Sequence, residues 1–140
     1  MQTACSQENL PPTLGGITLL EPFDPVSEPL GLPLQVVMND FAAFGYEYIY
    51  SGLTLWAGLS VEGNVDIVWQ IEATGSQYCT PSGVCPGMEA AEVQSILGNP
   101  ALSDGVSEGR NQYLVNAEAC WLEVNIDEQI VRSLAIRCQP

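Results

Sequence analysis

The sequence predicts an α+β domain of two layers, in which two tandem helix-plus-antiparallel-strand units share about six strands and the first unit's helix is degenerate. Three observations predict it. Displaced by 67 positions, GITLLEPFDPVSEPLGLP from Gly16 to Pro33 falls without a gap on GVCPGMEAAEVQSILGNP from Gly83 to Pro100. An offset of 65 then superposes Tyr46 to Ile71 on Asn111 to Ile136, so that Trp56 meets Trp121, Tyr48 meets Tyr113 and Val65 meets Ile130. Through both stretches apolar residues recur at every second position, the period of a strand with one buried face. On this reading residues 1–15 are a tail or tether, 16–78 the first unit and 79–140 the second, all within one compact domain.

In the first unit Pro22, Pro25 and Pro29 occupy the place of the helix. An interior proline removes a backbone donor and clashes with the preceding turn, at roughly 3 kcal/mol each, so a short turn or irregular loop is expected. Tyr46 to Tyr50 reads as a strand. Leu53, Leu55, Ala57, Leu59 and Val61 then face inward, alternating with Thr54, Trp56, Gly58, Ser60 and Glu62. Glu62-Gly63-Asn64 turns the chain into inward-facing Val65, Ile67, Trp69 and Ile71. In the second unit Met88, Ala91, Val93, Ile96 and Leu97 lie near one helical face, Gly98 ends the helix and Pro100 prevents its resumption. A strand at Gln112 to Val115 precedes a hairpin in which Cys120, Leu122, Val124 and Ile126 face in, while Trp121, Glu123 and Asn125 face out. Asp127-Glu128-Gln129 turns into Ile130, Leu134 and Ile136, and Arg132 interrupts the inward pattern.

Five cysteines occur with no histidine, and no paired Cys-x-x-Cys spacing offers a zinc site. Disulfides, and hence an exported protein, are the expectation. Cys120 opens one hairpin strand and Cys138 closes its neighbour on the same parity, which predicts a Cys120–Cys138 bridge. Cys79 and Cys85 bracket Thr-Pro-Ser-Gly-Val, where a bridge would clip the loop before the helix. Ala4-Cys5-Ser6 resembles the end of a bacterial lipoprotein signal, which makes Cys5 a candidate lipid anchor; a free or bridged thiol is the competing reading.

With 3 Lys+Arg against 17 Asp+Glu the formal charge is −14, which repels nucleic acid and anionic membrane surfaces. A membrane tether is therefore expected only through a lipidated Cys5. Without histidine, Ser-His and Cys-His nucleophiles are excluded. Glu89 and Glu92 on the helix and Asp127-Glu128 at a turn read as a solvated face and a turn. No catalysis, cofactor or metal is expected.

Trp56 and Trp121 fall on the polar parity of both hairpins, and large aromatics on a polar sheet face are frequent interface residues. Together with Tyr46, Tyr48, Tyr50 and Tyr113 they form the candidate surface for another protein. The competing reading packs the two tryptophans under a loop or the degenerate helix. A module holding a small molecule or carbohydrate against the same aromatics, or a structural envelope protein, is the alternative function.

The phrase Gly87-Met88-Glu89-Ala90-Ala91-Glu92-Val93, followed by Leu97-Gly98-Asn99-Pro100 and a hairpin with Val124 and Ile130, resembles the repeat of the SmpA/OmlA (BamE-like) bacterial lipoproteins. In tandem it is similar to the β-lactamase inhibitory proteins. The resemblance implies a non-catalytic scaffold for protein contacts, inhibitor-like or accessory to envelope assembly. It also implies a periplasmic or extracellular location, with lipid anchoring to the outer membrane if Cys5 is modified.

Overall fold

From its amino end the chain forms a small hairpin, β1 (Thr13–Leu14) and β2 (Ile17–Thr18), then a helix α1 (Phe23–Ser27) running into a 3-10 turn at Glu28–Leu30. Four strands follow, β3 (Gln35–Met38), β4 (Tyr46–Tyr50), β5 (Leu53–Leu59) and β6 (Asp66–Ala73). Helix α2 (Ala90–Leu97) precedes β7 (Leu102–Ser103), β8 (Gly109–Leu114), β9 (Cys120–Asp127) and β10 (Ile130–Cys138). The structure, a computed structural model, describes residues 12–38, 45–59, 65–103, 105, 109–115 and 120–138. Among them, eight strands form one antiparallel sheet in the order β3-β4-β5-β6-β10-β9-β8-β7, joined at its centre by β6 and β10.

This corrects the expected fold class. The protein is sheet-dominated, with eight strands in the main sheet instead of about six, and it is not a two-layer stack of helix-plus-strand units. The physical reason lies in the helices. Prolines at Pro22, Pro25 and Pro29 confine α1 to five residues, and α2 runs for only eight before Gly98 closes it at a φ of 76°. Helices this short are marginal in isolation and do not roof a sheet of this width. The β1–β2 hairpin with the following Leu19 and the Cys79–Cys85 loop contribute further buried apolar side chains, Leu14, Ile17, Leu19 and Val84, to a single core cluster. Leu14, placed by the sequence reading in a tail ending at residue 15, is fully buried.

The core lies on one face of the sheet, and the strand register shows why. Tyr48, Leu55, Ile71, Ile136, Leu122 and Tyr113 align as direct cross-strand neighbours over β4, β5, β6, β10, β9 and β8. All but Tyr48 are buried. α1 reaches this face through Phe23, whose ring stacks on Tyr48 at 4.2 Å, and α2 through Gly98, whose carbonyl accepts from the Tyr113 hydroxyl.

Two bulges depart from simple alternation. Trp56 pairs with Gln70 but Ala57 with Val68, so Trp69 is an extra residue in β6, and the inward pattern expected through Leu59 fails: Ala57 and Gly58 are buried and Leu59 is exposed. In β10 the pairing steps from Val131 to Ser133, which makes Arg132 the bulged residue and explains its interruption of the apolar pattern. The expected turn at Glu62-Gly63-Asn64 and inward Val61 lie outside the described residues.

Candidate functional site

The row next to the core row belongs to the opposite face, because successive side chains of a strand point to opposite sides. It runs Glu47, Trp56, Gln70, Arg137, Trp121, Leu114 across six adjacent strands. Every member is partly exposed. The two tryptophans are separated by three strand spacings, about 14 Å, with Gln70 and Arg137 between them. The covering elements with identified contacts, α1 through Phe23 and α2 through Gly98, lie on the core face.

Arg137 is held by a built network. Its Nη1 donates to Glu123 Oε1 at 2.5 Å, and the second carboxylate oxygen accepts from Asn125 Nδ2 at 3.2 Å. Asn125 Nδ2 also donates to Ser133 Oγ at 3.0 Å. The Glu123 side chain is only 8% exposed against 41% for Arg137, so the carboxylate is the buried strut and the guanidinium the presented group. A buried carboxylate is costly unless its lone pairs are satisfied, and here both oxygens are. Gln112, Trp121, Glu123 and Arg137 border a depression of about 330 Å³. It offers an indole wall, a fixed guanidinium and an amide, a set that recognises polar groups beside an apolar one.

The six sequence-predicted binding residues do not form one surface. Trp56 and Trp121 share the open row. Tyr46, Tyr48, Tyr50 and Tyr113 lie on the other face, where Tyr50 and Tyr113 are buried, Tyr48 is stacked on Phe23 and Tyr46 stands exposed near the sheet edge. Burial raises the phenol pKa of Tyr48, Tyr50 and Tyr113, and Tyr48 is pushed further by the negative charge of Asp66. Cys120 and Cys138 are paired directly across β9 and β10 and joined by a disulfide, and a second disulfide joins Cys79 to Cys85. Cys5 lies outside the described residues.

Arg137, Glu123, Gln70 and Gln112 were missed by the sequence reading as site residues. A signal existed: placing Cys138 opposite Cys120 also puts Arg137 opposite Trp121. A second concavity of about 520 Å³ lies at α1, lined by apolar Ile17, Pro22, Pro25, Val26, Pro29 and Leu30 together with Thr18 and Glu21. Among the described residues no three His, Cys, Asp or Glu side chains meet in a way that could hold a metal ion. No described helix is long and apolar enough to cross a membrane.

No protein-family model matches the chain, and no curated protein matches its sequence. Solved structures do share its fold. An extracellular protein containing an SCP domain, from Bacillus anthracis str. Ames, is 14% identical with a TM-score of 0.58; the match covers 84% of this chain and 43% of that one. A cysteine-rich secretory protein from Staphylococcus aureus subsp. aureus Mu50 is 13% identical with a TM-score of 0.62, covering 95% and 48%. A DUF4309 family protein from Bacillus subtilis subsp. subtilis str. 168 is 13% identical with a TM-score of 0.52, covering 89% and 83%. The chain thus spans about half the length of the first two. These neighbours replace the expected kinship with the SmpA/OmlA lipoproteins and β-lactamase inhibitory proteins, and at such identities what they share with this chain is the fold.

Proposed function

We propose that this chain is an exported, non-catalytic module that binds another protein through the open face of its sheet. The observation that carries the reading is the row Trp56, Gln70, Arg137, Trp121. Trp and Arg are among the residue types most enriched at energetically dominant interface positions, and here they stand centrally on the sheet face opposite the core, each partly exposed. The buried Glu123 strut supports it further, since a preorganised side chain loses less entropy on binding. Export is favoured by two disulfides in a chain whose structural neighbours are described as extracellular and secretory. A non-catalytic role is favoured by the lack of histidine, the side chain most often used as a general base.

The test is a double variant, Trp56→Ala with Trp121→Ala, immobilised beside the parent protein and exposed to the culture fluid of its source cells. Each ring is partly exposed, so the expected loss of stability is about 1–2 kcal/mol per site, below the roughly 3–5 kcal/mol of a core tryptophan. A protein retained by the parent and lost by the folded variant supports the proposal. Equal retention by both, or a variant that fails to fold, removes it.

A further inference from the structure

The sheet's first edge is a different surface with a different chemistry. β3 has β4 on one side and, among the described residues, no strand on the other, so a line of backbone donors and acceptors is left open. Leu34, Val36 and Met38 share one face of it, and are 75%, 49% and 69% exposed; Leu32 just before them is 93% exposed. An open apolar edge is a template for another strand, which natural edge strands commonly guard against with charge, proline or a short length; β3 keeps only the last of these, at four residues. Residues 32–38, LPLQVVM, carry no charge, and their one proline lies outside β3.

The surroundings specify the occupant. Arg110, Arg132 and Arg137 are the only basic side chains of the chain, so no side chain before residue 110 is positive, and all three lie on β8 and β10 at the far side of the sheet centre. Around the β3 edge the charges are acidic. Glu47 pairs directly with Val37, Asp24 and Asp66 act electrostatically on Tyr48, which pairs with Val36, and Glu28 is exposed in the turn just before the strand. The edge is a neutral apolar strip inside a wholly acidic half. A second copy of the chain would bring the same acids against it.

We infer that β3 accepts an extended segment of a basic partner by strand addition, with alternating apolar residues laid on Val36 and Met38 and lysine or arginine flanks held by the acidic half of the sheet. Main-chain hydrogen bonds supply the pairing and the flanks supply selectivity. Glu47 borders both this surface and the tryptophan row, but neither Val36 nor Met38 belongs to that row, so each surface can fail without the other.

The experiment titrates the whole chain with a blocked Lys-Lys-Val-Thr-Val-Thr-Val-Lys-Lys peptide, with the same peptide flanked by glutamate as control. The readouts are fluorescence anisotropy and amide hydrogen exchange. The expected result is one-to-one binding with new protection confined to residues 34–38, weakened at least about tenfold by high salt, and absent for the glutamate peptide. Val36→Lys and Met38→Lys, both at exposed positions, each abolish it. Binding that ignores these substitutions or the flank charge overturns the inference. So does failure to bind the lysine-flanked peptide, or a homodimer formed through this edge.

Discussion

At the scale of single residues, the sheet's two faces are separated by one step along a strand. Arg137 and Ile136 are neighbours in sequence, yet one guanidinium is presented between two indoles while the other side chain is 1% exposed in the core. This parity made much of the central core legible, because Leu53, Leu55, Ile71, Leu122, Val124, Leu134 and Ile136 are both alternating and buried. It did not place the tyrosines, since β4 alternates aromatic phenols with Glu47 and Ile49, side chains that suit either side of an edge-proximal strand. The phenols of Tyr48, Tyr50 and Tyr113 carry a pH prediction. Their pKa is raised above 10.0 in the folded state, so in the unfolded chain they ionise first. Stability is fully present below pH 10.0 and falls as pH rises through that value until the folded phenols ionise too. Both basic side-chain types sum to the three arginines, so no lysine titrates in this window. Urea unfolding between about pH 8 and pH 11 should show this decline. A Tyr48→Phe, Tyr50→Phe, Tyr113→Phe variant should show a smaller one.

At the scale of elements, the connection between β9 and β10 holds Glu128 at a φ of 53° and Gln129 at 64°, both left-handed. Such a two-residue hairpin turn matches the twist of the strands but favours Asn-Gly, and non-glycine residues there carry a conformational cost. The surrounding bonds hold it: Ala90 N–H donates to the Gln129 carbonyl at 2.8 Å, Gly87 and Met88 bond to Val131, and Arg132 bonds the Asp127 carbonyl. Replacing Glu128→Asn with Gln129→Gly should raise stability by about 1 kcal/mol, since the exposed Arg132–Glu128 ion pair that is lost contributes little. Chemical denaturation measures it; a destabilised variant would show that those side chains support the turn. The Asp127-Glu128-Gln129 turn was legible from polarity. The bulge at Trp69 was not, because one inserted residue among apolar neighbours leaves no mark in a hydrophobic pattern.

At the scale of the whole molecule, the central strands were legible and the edges were not. β3 is exposed on both sides and β7 has two residues, so neither shows a buried-face alternation, and both were missed in counting strands. The roof was misread because sequence pattern assigns cover to helices, whereas a hairpin and a disulfide-closed loop supply part of it. Charge is equally uneven: the acidic half ends in an apolar edge, and the arginines sit with Trp121 in the other half. The central claim is that the open face, not the roof, meets the partner. The most direct measurement places a photoactivatable amino acid at Gln70, between the tryptophans, and in a second protein at exposed Glu92 on α2. Irradiation in the source culture fluid should give a protein adduct from position 70 that disappears when Trp56 and Trp121 are alanine, and none of that adduct from position 92. An adduct from position 92 alone, or one from position 70 that persists without the indoles, would contradict the claim.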